Sequence, residues 1–277
     1  MKKQKFGEIL RLTRKKVGIS QKQLSEGLCS QPMISSIEKG IYVPNGKLLV
    51  ALCERLGINS HLLVLHDHYE IGQNKDISKH AEELCSAHDY QGLYNFLQQD
   101  DVLEEIDTDE QIQAYYYYLG CSLYHVKNQL DECEDSFKLS VAEINSSKKL
   151  STLSRLCYAS LGLVNCKKGR ITIMEEYLQK SYTDIATDIY EENGNVIFYL
   201  NAFSYFEIKN YQRAYKLVND GIKYILKNNS HFMLANMYYL LAMISSETEE
   251  LNIEKSAKEK SETLEEIFGE TIYKDNT

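Results

Sequence analysis

The chain has 277 residues, 43% of them hydrophobic and 26% charged, enough for a packed core and, by length, for two domains. The formal net charge is -9, but it is unevenly divided. Residues 1–66 carry eight Lys and three Arg against four Glu, a balance of +7, while residues 67–277 carry 20 basic against 36 acidic residues, a balance of -16. A basic head on an acidic body fits one part that can meet phosphates and another that does not, although a solvated basic surface would look the same.

Only two prolines occur, so helices can run almost throughout. The seven cysteines, 29, 53, 85, 121, 133, 157 and 166, form no CxxC. Buried free thiols in a reducing cytosol account for them. The opening Met1-Lys2-Lys3-Gln4-Lys5 leads into an amphipathic stretch and not a secretory leader. No apolar run approaches the roughly 20 residues of a membrane helix.

In the head, Phe6, Ile9, Leu10 and Val17 recur at helical spacing up to Gly18. Ser20 can cap a second helix over Gln21 to Leu28, with Leu24 and Leu28 inward. Ser30 can cap a third, with Pro32 in its first turn, Ile34 and Ile37 toward the core, and Gly40 as its stop. Leu48, Leu49, Leu52 and Leu56 predict a fourth helix ended by Gly57, and Leu62, Leu63 and Leu65 a fifth.

Two short helices joined by a tight turn inside a basic five-helix unit are a helix-turn-helix pattern. Gln21-Lys22-Gln23-Leu24-Ser25, Ile34-Ser35-Ser36-Ile37-Glu38-Lys39-Gly40, Pro44 and Leu48 resemble the phage-repressor-like (Cro/C1-type, XRE) DNA-binding domain. The resemblance implies that the third helix enters the major groove. Its candidate contacts are then Ser30, Gln31, Met33, Ser35 and Ser36, with Gln31 able to read adenine and Met33 able to touch a thymine methyl. It also implies a phosphate anchor at Gln21 and a backbone contact at Asn45. Many relatives carry Arg or Lys where Ser36 stands, which implies weaker or differently placed base readout here.

The body, residues 78–270, repeats itself. Small residues fall at Ala81, Gly120, Gly162, Ala202 and Ala242, about 40 residues apart, each expected where two helices approach closely. Stretches such as Ala159 to Tyr177 and Phe198 to Val218 read as helix, turn, helix. They resemble tetratricopeptide repeats, which stack into a right-handed superhelix with a concave face. Tyrosine is frequent, at 21 residues, with no tryptophan. Tyr115 to Tyr118 cover every face of one turn, so at least one hydroxyl should reach a groove or interface.

The expected fold is therefore all-α. A five-helix DNA-binding domain over 1–68 and a linker over 69–77 precede about five degenerate repeat hairpins over 78–277. Head and body together resemble the peptide-sensing regulators of Gram-positive bacteria, the Rgg/Rap/NprR/PlcR/PrgX group, PlcR-type. That resemblance implies a cytoplasmic homodimer on an inverted-repeat DNA operator, with a short signalling peptide in the concave groove. It places groove amides at Asn201 and Asn236, walled by Tyr205 and Tyr239. An amide can pair with a peptide's C=O and N–H at once. Asn201 can equally bridge adjacent repeats.

Two alternatives remain at this point: a constitutive regulator whose repeats serve dimerisation or a protein partner, and an enzyme or phosphatase-like repeat protein. No catalytic residues, cofactor motif or metal site is expected. His66-Asp67-His68, with His61 nearby, reads as a junction loop. Asp107-Thr108-Asp109 lacks the Gly and Glu of a calcium loop.

Overall fold

All regular elements among the described residues are helices. The computed structural model describes residues 2–42, 44–56, 71, 75–126, 129–142, 150–185 and 190–273. They fall into two units, Met1–Asp67 and His68–Thr277. The fifth head helix expected over Leu62, Leu63 and Leu65, its Gly57 boundary, the junction histidines, and the side chains of Phe6 and Ile9 lie outside the described residues.

In the first unit, α1 (Lys2–Val17) ends where Gly18 takes φ +79°. Val17, the last residue of α1, is exposed. Ser20 caps α2 (Gln21–Ser25) in a closed box: its hydroxyl accepts from Gln23 N–H at 3.2 Å and Gln23 Oε1 accepts from Ser20 N–H at 2.8 Å. The helix is three residues shorter than expected. Gly27 adopts φ +72°, so Leu28 lies in a turn and is half-buried.

Next comes α3 (Gln31–Glu38), with Pro32 in its first turn. Ser30 has the extended backbone of an N-cap, but its hydroxyl makes no capping bond. In α4 (Gly46–Leu56), Asn45 Oδ1 accepts from Leu48 N–H at 2.9 Å. Leu10, Leu24, Ile34, Ile37 and Leu52 close the core. A Cβ at Gly7 would lie 2.2 Å from the Ile37 carbonyl oxygen, so α1 and α3 cross this closely only because residue 7 has no side chain.

The second unit is a run of helical hairpins. They are α5 (Lys75–Ser86) with α6 (Tyr90–Leu97), then α8 (Asp109–Val126) with α9 (Leu130–Ala142) and α10 (Thr152–Lys167) with α11 (Ile171–Tyr182). The last two are α12 (Gly194–Glu207) with α13 (Tyr211–Lys227), and α14 (Leu234–Glu247) with α15 (Leu251–Phe268). A short α7 (Asp100–Glu104) follows the first hairpin. α5 starts three residues earlier than the expected boundary at 78.

All five small residues sit in the first helix of their hairpin. Ala81 and Ala202 are fully buried. A Cβ at Gly120 would meet the Phe137 ring at 2.7 Å, and one at Gly162 would meet Leu178 Cδ2 at 2.3 Å. The turn between paired helices repeats as well: His88, Gly169, Lys209 and Glu249 all take a φ between +57° and +69°. Neighbouring hairpins are also tied by charge. Glu134 on α9 meets Lys138, Lys168 and Arg170, and Lys167 on α10 meets Glu207 on α12. Burial alone would raise the Glu134 pKa, but hydrogen bonds from Lys138 and Lys168 more than reverse this and hold it at about 2.

Candidate functional site

The head presents α3 beside the start of α2. Ser30, Gln31 and Asn45 are exposed, and Gln21, Met33, Ser35 and Ser36 are half-buried. The structure links these elements through one chain of side chains. Gln31 Nε2 donates to Gln21 Oε1 at 2.7 Å, and Gln21 Nε2 donates to Glu38 Oε2 at 2.7 Å. Glu38 also accepts from Arg14 Nε at 2.5 Å and Nη2 at 3.0 Å. Burial would raise the Glu38 pKa, but the bonds from Arg14 and Gln21 bring it below the ordinary carboxylate value.

Arg11, Lys15 and Lys39 surround a polar cleft beside Gln21 and Ser35. The Ser36 carbonyl accepts from Ile41 N–H at 2.9 Å and Tyr42 N–H at 3.2 Å. That fixes the chain reversal leading to Asn45. Because Asn45 caps α4, it marks a helix N-terminus, a position that favours anions.

The body holds a half-open cavity of about 520 Å³, within the range of small-ligand sites. Its walls are the first helices of successive hairpins, through residues such as Tyr118 on α8, Val164 on α10, Phe203 on α12 and Asn236 on α14. These helices are apolar nearly all round, because one side meets its hairpin partner and another faces the cavity. Among the five tyrosines of α8, Tyr115 donates to the Leu97 carbonyl at 3.3 Å, and Tyr117, Tyr118 and Tyr124 reach the cavity wall.

Of the four residues expected around a peptide, Asn236 lies in the cavity wall. Asn201 does not line it. It is buried, and its Nδ2 donates to Ser181 Oγ at 2.9 Å and to the Ile197 carbonyl at 2.8 Å, bridging α12 to α11. Tyr205 packs beneath the Arg213 guanidinium, 4.8 Å from its ring centroid, and also lies outside the cavity lining, as does half-buried Tyr239.

Residues not singled out in the sequence complete the site. His88 Nδ1 and the Tyr90 hydroxyl are 2.9 Å apart, and the Tyr90 ring stacks on His125 at 3.7 Å. The Cys85 and Cys121 thiols hydrogen-bond each other, and this bond together with burial pushes Cys121 up. The segment after α15 forms another wall. Asn236 Nδ2 donates to Glu270 Oε1 at 2.6 Å and to the Thr271 carbonyl at 3.3 Å, and Asn236 Oδ1 accepts from Tyr273 N–H at 2.8 Å. A terminus of mixed polar residues gives little sequence signal of such docking.

Among the described residues no group of three or more His, Cys, Asp or Glu is arranged to hold a metal ion. Asp107 and Thr108 instead lead into α8, their N–H groups donating to Gln111 Oε1 at 2.8 and 3.0 Å. No described helix is long and apolar enough to cross a membrane.

Residues 10–63 match the helix-turn-helix family. No curated protein matches the chain. Among solved structures, Bacillus thuringiensis PlcR in complex with the peptide PapR7 and DNA superposes with a TM-score of 0.63 at 19% identity, covering 96% of each chain. The apo form of the same protein gives 0.58 at 18% identity, over 96% of this chain and 95% of that one. The chain has the fold of PlcR. The competence regulator ComR from Streptococcus vestibularis, in complex with its signalling peptide XIP, is more distant, at 0.50 and 13% identity over 97% and 94%. The PlcR-like fold runs through both units, so head and repeat body occur together in PlcR and in this chain.

Proposed function

We propose that the protein is a cytoplasmic, sequence-specific transcription regulator, not an enzyme, whose DNA binding is controlled by a short signalling peptide. The observation that carries this reading is the joint presence of a helix-turn-helix head and a half-open cavity in the body of one chain with the PlcR fold. PlcR has been crystallised with a peptide and DNA, and ComR with its signalling peptide.

In this reading α3 enters the major groove of an inverted-repeat operator as part of a homodimer, with Gln31 and Met33 at base edges and Ser30, Ser35 and Ser36 along the groove. Gln21 and the N-terminus of α4 at Asn45 hold phosphates, supported by Arg11, Lys15 and Lys39 around the cleft. The peptide lies against Asn236, with Asn201, Tyr205 and Tyr239 shaping the repeats behind the wall.

The test is a mobility-shift assay of the purified protein on operator DNA selected from a random pool, repeated with short peptides encoded in its own genome. Selective DNA binding that changes severalfold with one peptide supports the reading. No peptide effect across the set sinks it. A constitutive regulator is the second reading, favoured by the chain's own C-terminal segment at Asn236. It expects the same DNA affinity with every peptide.

A further inference from the structure

The segment after α15 docks in the cavity as a peptide would. Gly269, at φ +65°, turns the chain at the helix end, its N–H donating to the Glu265 carbonyl at 2.9 Å. The next residues return along the cavity wall. The Asn236 amide then pairs with the C=O of Thr271 and the N–H of Tyr273, the two groups that flank Ile272. A neighbouring strand would present the same donor and acceptor to an extended chain, and such pairing reads backbone, not side chains.

Ile272 is buried. The Tyr273 ring sits among rings from distant hairpins: Phe203 of α12 at 6.4 Å, His125 of α8 at 5.4 Å, and His88 of the first turn at 6.0 Å. Its hydroxyl lies 3.5 Å from His125 Nδ1. One short segment therefore ties the last hairpin to the first across the hollow.

We infer that Gly269–Tyr273 is a built-in competitor for the ligand site, and that the ligand is a short extended peptide with an aromatic side chain that replaces Tyr273 among His88, His125 and Phe203 while its backbone takes over Asn236. This rests on the reading of the cavity as a peptide site. Burial disfavours the Glu270 carboxylate of the docked segment, and its hydrogen bond from Asn236 offsets this only in part. A tethered competitor weakens a free ligand by the fraction of time the site is open.

The test uses the full chain and a fluorescent synthetic peptide of its own residues 269–277, Gly-Glu-Thr-Ile-Tyr-Lys-Asp-Asn-Thr. Fluorescence anisotropy compares the wild type, Tyr273→Ala and the double variant Tyr273→Ala/Asn236→Ala, with circular dichroism confirming that each is folded. The expected result is binding to Tyr273→Ala at least about tenfold tighter than to the wild type, and loss of that binding in the double variant. Hydrogen exchange at the Tyr273 amide should be slow in the wild type and fast in Asn236→Ala.

Equal affinity for the wild type and Tyr273→Ala overturns the competitor role while leaving a peptide site in place. No binding to folded Tyr273→Ala overturns the docked segment as a ligand mimic. A genome-encoded peptide that then still binds Tyr273→Ala keeps the proposed function and separates the two failures.

Discussion

Gln21 Nε2 donates to Glu38 Oε2 at 2.7 Å, and the same carboxylate is held by Arg14. The first residue of α2 is thereby fixed to the last residue of α3, so the amide expected at a phosphate is positioned by a buried ion pair. With its partner removed, a buried charge is left uncompensated, at a cost of about 3–5 kcal/mol. Arg14→Met should lower the stability of the head by that order, and operator binding should fall with it. Thermal unfolding followed by circular dichroism, alongside a mobility-shift titration, checks both.

The same pair sets a pH dependence. The folded pKa of Glu38 lies below its ordinary value, so its contribution is present above about pH 4.3 and is lost as pH falls through the depressed folded value. Glu134 behaves likewise in the body, its contribution disappearing between about pH 4.3 and its folded value of about 2. Glu134→Gln should flatten the acid side of the body's stability curve, as measured by unfolding midpoints across pH 2 to 7, on the order of the window itself. An unchanged slope would remove Glu134 from the account.

How much of this was legible in the sequence depends on whether the determinant is local. Ser20 with Gln23, Pro32, and the glycines at 18 and 40 act within a few residues, and the helices they bound were readable. Gly120 and Gly162 were readable because a 40-residue repeat exposes them. Gly27 moved the end of α2 because its left-handed backbone outweighed the apolar pattern that ran on to Leu28. The cavity was less legible. Asn201 and Asn236 are both buried amides on the first helix of a hairpin, yet one faces Ser181 of the adjacent helix and the other faces the C-terminal segment. That difference is set by packing between hairpins and by residues more than 30 positions away, which periodicity does not encode.

The repeat turns give a stabilising substitution. Lys209 and Glu249 hold φ +60° and +59°, a region that costs a side-chain-bearing residue roughly 1–2 kcal/mol relative to its preferred conformation. Gly169 occupies the equivalent turn at φ +69°. Glu249→Gly should raise stability by about 0.5–1 kcal/mol once the added freedom of the unfolded chain is subtracted. A urea midpoint shifted upward with an unchanged slope would show this, and a downward shift would refute it.

The thiols divide by burial. Burial pushes Cys133 and Cys157 to about 12, and Cys53 and Cys166 to about 11, so at pH 8 almost none of each is thiolate, the reactive form. Titration of the native protein with an aromatic disulfide reagent should leave these four unreacted, and denaturant should release them. Rapid modification of Cys133 or Cys157 under native conditions would mean that the second and third hairpins open far more readily than their packing allows.

The two amides at the front of the head make separable predictions on DNA. Gln31 is exposed at the start of α3 and bonded to Gln21 through one N–H, so its other N–H and its carbonyl oxygen remain to meet a base edge. Gln31→Ala should cost about 1–3 kcal/mol on the preferred operator and relax selectivity at one base pair. Gln21→Ala, acting through a phosphate, should weaken all sequences by a similar factor. Competitive selection on a library randomised at each operator position distinguishes them. If Gln31→Ala leaves the base preference untouched, readout lies elsewhere on α3, and Met33 becomes the next position to test.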